Sequence, residues 1–436
     1  MSERLHIVID AQIPLGGSAG GVEQFIVGLV QALGKLDGPE EYTIVGPRQQ
    51  PDWLAAFVGP NQRIVSAPGP AERLRRVKRT LAPLHRPLRL VMDRFRRAAQ
   101  DRREVWVVPE SGGFFEALGG EVLHFPHQSF IHSSLPTIYN PHDLQHRHLP
   151  GFFSRGEIAR RETLYRAGCS LARAVATASH WSAEDVVRSY GVPSDRIAIV
   201  PSGAPTDLYQ VSPPESLMVV RGKYHLPERF ALYPAQTWPH KNHLGLIRAL
   251  AILQKTCGLT LTVVCTGTKS PFFRAIARES HQLGVAPQLF FLGYVPAQDL
   301  RALYHLAQFL VFPSLFEGGG LPVIEAFKEG LPVACSAVTS LPEIAGDAAL
   351  LFDPTSPERI AGVLRRMVTE DSLLETLRQR GQANGAQYRW ERTGQIFRAL
   401  YRSVAGRPLA EYDRYLLAGS RLSRTPQSVE RALDVR

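Results

Sequence analysis

The 436-residue chain is too long for one ordinary hydrophobic core, and its length predicts two or three folding units. Hydrophobic residues make up 44% of the chain and charged residues 21%, which excludes wholesale disorder. The formal net charge of +10 is concentrated in residues 71–103, where twelve arginines and lysines face three acids. The rest of the chain is nearly neutral, so the sequence describes an ordinary protein that carries one basic insert.

The four cysteines contain no Cys-x-x-Cys pair, which disfavours both a disulfide framework and a zinc site. The amino-terminal residues, Met-Ser-Glu-Arg, lack the apolar segment of a signal peptide. No stretch approaches the ~20 apolar residues that cross a bilayer. We therefore expect a soluble, cytoplasmic protein, with peripheral contact at the inner face of a membrane as a further option.

The first half of the chain begins as an α/β domain does. The apolar run 5–11 predicts a buried parallel strand, and the glycine-rich loop 15–21 leads into a helical pattern from Val22 to about Lys35. A strand, a glycine-rich turn and a helix can hold an anion at the helix N-terminus. Further strands are predicted at residues 42–45, 122–125, 137–139, 174–178 and 197–200.

The second half repeats this alternation after a proline-rich segment, residues 211–216, that predicts a linker with a hinge near Pro213 and Pro214. Strands are predicted at residues 230–234, 260–266, 289–292, 309–312, 333–336 and 350–352. Helices are predicted at residues 243–255, 271–283, 297–307, 321–329 and 357–370. The expected fold is therefore α/β, with two doubly wound Rossmann-like domains, residues 1–210 and 211–388, facing a central cleft.

Residues 312–326 carry the most chemical information. They predict a strand end, a loop with three glycines, and a helix with Pro322 in its first turn, so backbone amides and a helix dipole are available to an anion. Glu317 falls on the loop and Glu325 on the helix, where both carboxylates can face one ligand. Paired carboxylates beside a phosphate site suit a ligand rich in hydroxyl groups, which describes a sugar nucleotide.

This segment resembles the Glu-x7-Glu motif of the retaining family 4 glycosyltransferases with the GT-B fold (glycosyl transferases group 1). Other segments similar to that family are residues 200–203, 291–295, 330–336 and 341–354. The resemblance extends from Ile7 to about Tyr401. It implies an acceptor-binding first domain and a nucleotide-sugar-binding second domain. Residues 389–436 would then form a helix that crosses back to the first domain, with a charged, partly frayed tail after Leu409.

The resemblance also implies roles for individual residues. Glu317 would bind the hydroxyls of the donor sugar, Lys241 would neutralise the leaving diphosphate, and His142 would contact the sugar near its reacting centre. These three are the expected catalytic residues. Glu325 would bind the ribose of the nucleotide. The full set of expected donor-binding residues is Gly20, Gly21, Gln236, Gly267, Tyr294, Gly319, Gly320, Leu321 and Glu325.

One position departs from the family pattern. An arginine usually stands about five residues before the lysine, whereas this chain has Gln236, which donates hydrogen bonds but carries no charge. Either Lys241 acts with helix dipoles alone, or His240, His243 or an arginine of the first domain compensates. The sequence does not decide among these alternatives.

Several polar residues follow the predicted strands of the first half. His142 and Asp143 come just after the strand at 137–139, which places them at the cleft. His124 and His127 flank another strand end and could line the cleft as well. Ser179 is interpreted as the structural start of a helix near the cleft.

The sequence thus predicts a retaining glycosyltransferase that moves a hexose, of mannose or rhamnose type, from a nucleoside-diphosphate sugar to a glycan or lipid-linked acceptor in surface polysaccharide synthesis. No Asp-x-Asp sequence occurs, so we expect neither a metal ion nor another cofactor. Two alternatives remain. One is a sugar-nucleotide epimerase of the same fold, and the other is a non-enzymatic, basic nucleic-acid-binding protein.

The basic insert, residues 71–103, contains apolar residues at roughly helical spacing that are interrupted by Pro83 and Pro87. Such basic amphipathic segments lie on anionic lipid surfaces. A solvated arginine-rich flap or an oligomer contact is the simpler alternative. The insert has a single aromatic residue, Phe95, and so lacks stacking platforms for single-stranded nucleic acid. We therefore expect a lipid partner and no nucleic acid.

Overall fold

The computed structural model describes residues 4–15, 20–68, 106–209 and 214–422. The basic insert lies outside these ranges. In the first half of the chain, seven described strands form one parallel sheet in the order β3-β2-β1-β4-β5-β6-β7. They are β1 (Leu5–Asp10), β2 (Glu40–Gly46), β3 (Gln62–Ser66), β4 (Val122–Phe125), β5 (Thr137–Tyr139), β6 (Ala174–Thr177) and β7 (Ile197–Ile199).

The α-helices described around this first sheet are α1 (Gly21–Gly34), α2 (Phe114–Ala117), α3 (Gln145–His148), α4 (Arg155–Leu171) and α5 (His180–Tyr190). Helix α1 follows the glycine-rich loop directly and buries Phe25, Leu29 and Leu33, three residues of its periodic apolar face. The 3-10 segments of this half are Pro51–Phe57, Pro150–Phe152, Ser194–Arg196 and Pro205–Leu208.

The second half forms a six-stranded parallel sheet in the order β10-β9-β8-β11-β12-β13. Its strands are β8 (Ala231–Pro234), β9 (Val263–Thr266), β10 (Leu289–Gly293), β11 (Phe309–Phe312), β12 (Val333–Ser336) and β13 (Ala349–Phe352). Its helices are α6 (Pro214–Lys223), α7 (His243–Cys257), α8 (Phe273–Gln282), α9 (Ala297–Leu306), α10 (Leu321–Lys328), α11 (Leu341–Ala345), α12 (Pro357–Thr369) and α13 (Asp371–Gly385). Pro239–Lys241 and Ala286–Gln288 are 3-10 segments.

Both sheets are doubly wound, as predicted. In each, the strand order reverses beside the first strand of its half, β1 or β8. Residues of the central strands, such as Ile9 and Phe312, are fully buried, because helices cover both faces of a parallel sheet. A ligand of such a fold binds at the carboxyl ends of the strands near the reversal.

Two further helices, α14 (Trp390–Val404) and α15 (Glu411–Gly419), return the chain to the first half. Nε1 of Trp390 donates a hydrogen bond to the Ala204 carbonyl over 2.9 Å, and a β-carbon on Gly28 of α1 would overlap the Trp390 ring. Helix α15 corrects the expectation of a partly frayed tail for its own residues, since Asp413 caps it from within and is itself fixed by Arg402 at 2.8 Å. The rest of that tail, residues 423–436, lies outside the described residues.

Two other differences from the predicted elements are found. Residues 214–216 of the predicted linker form the start of helix α6, which agrees with the preference of proline for a first helical position. Residues 211–213 of that linker, with the hinge expected near Pro213, lie outside the described residues. Strand β3 and helix α13 were not predicted, because their sequences, QRIVS and DSLLETLRQRGQANG, are largely polar. Among the described residues, no helix is both long enough and apolar enough to cross a membrane.

Candidate functional site

The loops that follow the central strands of the two sheets meet across a cleft. A β-carbon on Gly21 would lie 3.1 Å from the Leu321 side chain, and one on Gly319 would lie 3.2 Å from the Ala178 side chain. At Gly318 a β-carbon would overlap the carbonyl oxygen of His142. The glycines of this segment therefore permit two backbones from different domains to approach closely.

Lys241 and Glu317 form an ion pair in this cleft. The distance from Lys241 Nζ to Glu317 Oε1 is 2.5 Å, and the two side chains are only 18% and 12% exposed. Lys241 ends the 3-10 segment after β8, and Glu317 lies on the loop between β11 and α10. The predicted cation and the predicted sugar-binding carboxylate are thus in direct contact, at the N-terminal end of α10.

Neighbouring polar groups fix the backbone on both sides of this pair. Thr339 Oγ1 accepts from Glu317 N at 3.0 Å and donates to Glu317 O at 2.8 Å, and Ser340 Oγ donates to the same carbonyl at 2.9 Å. Asn242, at a φ of 58°, caps α7 and donates to the carbonyls of Pro313 and Pro354 at 3.1 and 2.8 Å. The asparagine after Lys241 therefore ties the lysine segment to the end of β11.

His142 projects from the loop after β5 with a φ of 61°, an uncommon conformation for a residue with a β-carbon. Its Nε2 donates to the Pro126 carbonyl at 2.9 Å, and its ring packs edge-on against Phe25 at 5.2 Å. Burial lowers the pKa of His142 to about 4. The imidazole is therefore neutral near pH 7, with Nδ1 as a hydrogen-bond acceptor suited to a hydroxyl group.

Asp143 and Arg161 extend the charged part of the cleft. Removal from solvent raises the pKa of the Asp143 carboxyl, and Glu317 raises it further, whereas Arg161 and Lys241 act in the opposite direction. Arg161 comes from α4, and its guanidinium carbon lies 4.6 Å from the centre of the Phe153 ring. Lys241 from the second half and Arg161 from the first are therefore both close enough to affect the Asp143 carboxyl.

The groups around Lys241 indicate which residue could supply the positive charge that Gln236 lacks. Burial lowers the pKa of His240 to about 2 and that of His243 to about 3, so neither imidazole supplies a positive charge near pH 7. Arg161 lies near enough to His240 and Asp143 to affect their titration. Of the alternatives left by the sequence, an arginine of the first domain agrees best with the structure.

Glu325 lies in surroundings different from those of Glu317. It is buried on α10, and its Oε2 accepts from the Tyr304 hydroxyl at 2.9 Å. Burial raises the pKa of Glu325 to about 8, so the carboxyl is mostly protonated near pH 7. Glu317 thus pairs with a cation, whereas Glu325 is bound by a tyrosine hydroxyl.

The raised pKa predicts how Glu325 affects stability. Between the ordinary value of 4.5 and about 8, the folded protein holds a proton that the unfolded chain has lost, so stability falls as pH rises. Glu325→Gln cannot titrate. The melting temperature of Glu325→Gln minus that of the wild type is therefore expected to increase between pH 5 and pH 8. Thermal melts across this range test the prediction, with the exposed Glu391→Gln variant as control, and parallel curves would contradict it.

The other expected donor-binding residues surround the same cleft. Gly320 has a φ of 50° and precedes α10, whose first residue is Leu321. Gly267 has a φ of 96°, and a β-carbon there would lie 2.8 Å from the backbone nitrogen of Gln236. A β-carbon on Gly20 would lie 3.6 Å from Nε2 of Gln236. Tyr294 is 65% exposed at the end of β10.

His124 and His127 do not have the roles that the sequence suggested. His124 is fully buried and bridges Asn140 Oδ1 at 2.7 Å and the Tyr401 hydroxyl at 2.8 Å, so it joins β4 to α14 and does not line the cleft. His127 is also buried, with Nε2 at 3.4 Å from Asp10 at the end of β1. Both histidines support the loops behind the cleft.

Helix α5 of the first half contacts the second half through its N-terminus. Glu343 of α11 accepts from the backbone nitrogens of His180 and Trp181 at 2.9 and 3.2 Å, and from Nδ1 of His180 at 2.8 Å. The Ser179 and Ser182 hydroxyls donate to the Gly318 carbonyl at 3.1 Å. Ser179 thus caps its helix, as expected, and also joins the two halves of the cleft.

The contact with Glu343 is expected to depend on pH. Its hydrogen bond raises the pKa of His180, so the charged pair is complete below pH ~6.5 and is lost as the pH rises through the raised value. Glu343→Gln should therefore lower the melting temperature more at pH 6 than at pH 8.5. Differential scanning fluorimetry measures this, with Glu110→Gln as a matched control, because Glu110 pairs with His132 within one domain. An equal loss at both pH values would contradict the prediction.

Sequence reasoning missed several contributors to this site. Thr339 and Ser340 immediately precede segment 341–354, which resembles the family. Their position next to that segment could have identified them as candidates. Arg161 stands in a helix with many arginines, where nothing distinguishes it. Within the described ranges, no group of three or more histidine, cysteine, aspartate or glutamate side chains is arranged to hold a metal ion.

Comparison with known families and proteins agrees with this geometry. Residues 19–208 match the profile of Glycosyltransferase Family 4, and residues 221–384 match that of Glycosyl transferases group 1. O-antigen chain mannosyltransferase B of Escherichia coli is 30% identical over 300 residues, which cover 68% of this chain and 76% of that protein. Serotype-specific mannosyltransferase WbdA of Escherichia coli is 30% identical over 228 residues, which cover 52% of this chain and 28% of that longer protein.

Solved structures share the architecture. The Anabaena protein Alr3699/HepE, crystallised with UDP and glucose, aligns with a TM-score of 0.66 at 18% identity over 92% of this chain and all of that one. WaaG, a glycosyltransferase involved in lipopolysaccharide biosynthesis, aligns with a TM-score of 0.62 at 16% identity, also over 92% of this chain and all of that one. The family profiles on both halves, the relative at 30% identity and the shared architecture show that this chain belongs to the family 4 glycosyltransferases with the GT-B fold.

Proposed function

We propose that this glycosyltransferase moves a hexose from a nucleoside-diphosphate sugar to a hydroxyl group of a glycan or lipid-linked acceptor, with retention of anomeric configuration and without a metal ion. The observation that carries this proposal is the Lys241–Glu317 ion pair at the N-terminal end of α10. A cation, a carboxylate and a helix N-terminus in one cleft match a ligand that is anionic at one end and rich in hydroxyls at the other.

The proposed reaction requires stabilisation of a departing diphosphate. As the bond from the anomeric carbon to the diphosphate oxygen breaks, negative charge builds on the leaving group, where Lys241, Arg161 and the α10 dipole can stabilise it. The acceptor oxygen bonds to the same face of the anomeric carbon, and its proton passes to the leaving diphosphate. Neutral His142 would orient the sugar through a hydrogen bond, and Glu317 would accept bonds from sugar hydroxyls.

Mannose is the favoured hexose, with rhamnose as the alternative. The relatives at 30% identity are described as mannosyltransferases, one of them for the O-antigen chain. A role in surface polysaccharide synthesis follows from the same similarity. UDP bound to HepE supports a nucleoside-diphosphate donor for the fold but does not select the base used by this chain.

A donor panel tests the proposal. Thermal shifts are measured with GDP-mannose, dTDP-rhamnose and UDP-glucose, each with and without EDTA. A ligand at 100 times its Kd stabilises the folded state by about 2.7 kcal/mol. We expect one donor to raise the melting temperature of the wild type in EDTA, and Lys241→Ala to lose this shift. No shift with any donor, or a shift that requires a divalent cation, would count against the proposal.

We also propose that the basic insert, residues 71–103, brings the enzyme to an anionic membrane surface at the cytoplasmic face, where a lipid-linked acceptor would be found. Its +9 charge and its interspersed leucines support this. Replacing Arg75, Arg76 and Arg79 with serine should abolish pelleting with phosphatidylglycerol vesicles and spare the donor-induced thermal shift. Unchanged pelleting would contradict the membrane role and leave the donor chemistry intact.

A further inference from the structure

Lys241 is held at its backbone as well as at its side chain. Its carbonyl lies outside helix α7, because the hydrogen bonds of that helix begin one residue later, where Leu246 N donates to Asn242 O at 3.2 Å. The carbonyl of Lys241 instead accepts a hydrogen bond from the Tyr233 hydroxyl. A side chain of strand β8 therefore fixes the backbone of the lysine that pairs with Glu317.

The peptide between Lys241 and Asn242 leads into an uncommon backbone conformation. Asn242 has a φ of 58°, which few residues with a β-carbon adopt. The nitrogen of this peptide donates to the Pro239 carbonyl at 3.0 Å, and its carbonyl accepts from Tyr233. Loss of the tyrosine hydroxyl would free this peptide to rotate, and rotation would shift Lys241 relative to Glu317.

The Tyr233 ring is enclosed, so the position of its hydroxyl oxygen is fixed. Tyr233 is fully buried, and its ring centre lies 4.7 Å from that of His243 and 6.1 Å from that of Phe312. Burial lowers the pKa of His243 to about 3, so the imidazole that packs on the tyrosine is neutral near pH 7. A ring packed on both sides keeps one orientation, because protein interiors leave little free space around a side chain.

The ammonium end of Lys241 is held beside the same ring. Lys241 Nζ lies 5.3 Å from the centre of the Phe312 ring and 2.5 Å from Glu317 Oε1. Phe312 ends strand β11, which pairs with β8 in the sheet. A cation is attracted to an aromatic face, more strongly where water is excluded. Tyr233 and Phe312, from adjacent strands, thus fix the two ends of one lysine.

We infer that Tyr233 is a positioning residue for sugar transfer, which fixes the Lys241 backbone so that the ammonium group meets Glu317 beside the Phe312 ring. The inference rests on the proposed function, in which Lys241 stabilises charge on the leaving group, and adds a residue to it. Because this charge develops only as the bond breaks, a displaced lysine lowers the rate of the bound complex more than the affinity for the donor. Loss of the Tyr233 hydroxyl should therefore lower kcat and leave KM nearly unchanged.

The contact between Tyr233 and Lys241 is tested first without any ligand. Tyr233→Phe keeps the ring and removes the hydroxyl. Tyr139→Phe is the matched control, because buried Tyr139 likewise donates to a backbone carbonyl, that of Gln128, at 3.1 Å in the first domain. Each variant keeps the packing of its ring, so circular dichroism should show native secondary structure for both.

NMR of protein with isotopically labelled lysine reports the position of the side chain. An aromatic ring displaces the signals of protons near its face, so the ε-methylene signal of Lys241, identified by its absence from Lys241→Met, depends on the contact with Phe312. We expect Tyr233→Phe to move this signal toward the position of free lysine. Tyr139→Phe should leave it unchanged.

Steady-state kinetics provides the second readout, as release of nucleoside diphosphate from GDP-mannose, dTDP-rhamnose or UDP-glucose. We expect kcat of Tyr233→Phe to fall about tenfold, as for one lost hydrogen bond in the site, with KM within about twofold of the wild type. An equal loss of kcat in Tyr139→Phe would indicate general destabilisation and overturn the role of Tyr233.

The two readouts separate this inference from the proposed function. An unchanged lysine signal in Tyr233→Phe, or an unchanged kcat where the wild type turns over a donor, would overturn the role of Tyr233. A displaced signal without turnover of any donor by the wild type would contradict only the proposed function. An unchanged signal without turnover would overturn both.

Discussion

Glu317→Ala and Lys241→Ala are each expected to lower kcat/KM by at least thirtyfold, which corresponds to about 2 kcal/mol of transition-state stabilisation. In the proposed reaction, Lys241 would stabilise the leaving diphosphate, and Glu317, which holds the Lys241 ammonium group at 2.5 Å, would accept hydrogen bonds from the sugar. Steady-state kinetics with the donor used by the wild type measures the loss. Wild-type turnover in either variant would contradict the assignment.

A loss of stability must be separated from this loss of activity. Each single variant leaves a poorly exposed, unpaired charge in the cleft, which is expected to cost about 3 kcal/mol of stability or less. The double variant Lys241→Met, Glu317→Gln removes both charges. It should melt near the wild-type temperature and remain inactive. An active double variant would show that the pair serves only to stabilise the fold.

The second large effect is expected at Gly318. A β-carbon there would overlap the His142 carbonyl oxygen and would lie 3.0 Å from the Asp143 β-carbon. Gly318→Ala must therefore displace one loop from the other, at a cost of about 2 kcal/mol, which is typical of overpacking. Because this contact joins the loops of the two domains, the cost should appear as a loss of kcat/KM of about thirtyfold.

Gly362→Ala provides the matched control, since Gly362 lies on α12 with nothing within 4 Å of the added carbon. The control should keep full activity. Circular dichroism should show native secondary structure for Gly318→Ala, because each domain keeps its own core. Unimpaired turnover by Gly318→Ala would mean that the two loops need not be in contact during catalysis.

Much of the fold was predictable because buried parallel strands have continuous apolar sequences. The predicted bounds of β11 (Phe309–Phe312) and β12 (Val333–Ser336) agree with the structure, since nearly every residue in them is apolar and buried. Strand β3 escaped prediction because it lies at the sheet edge, half exposed, with a mixed sequence.

The sequence indicated candidate residues for the site better than it indicated the contacts among them. The family resemblance singled out Lys241 and Glu317, but their pairing across 76 residues depends on tertiary structure. His124 looked like a cleft residue because it ends a strand, and only the return of α14 shows that its partner is Tyr401. The raised pKa of Glu325 follows from its burial against Tyr304, which the sequence does not reveal.

The most direct test of the central proposal is a proton NMR time course of the purified protein with its sugar-nucleotide donor, recorded with and without a hydroxyl acceptor in the presence of EDTA. We expect a product with the same anomeric configuration as the donor, formed only when the acceptor is present, together with free nucleoside diphosphate. A product of inverted configuration would contradict retention. Conversion of the donor to another sugar nucleotide without acceptor would identify an epimerase and contradict glycosyl transfer altogether.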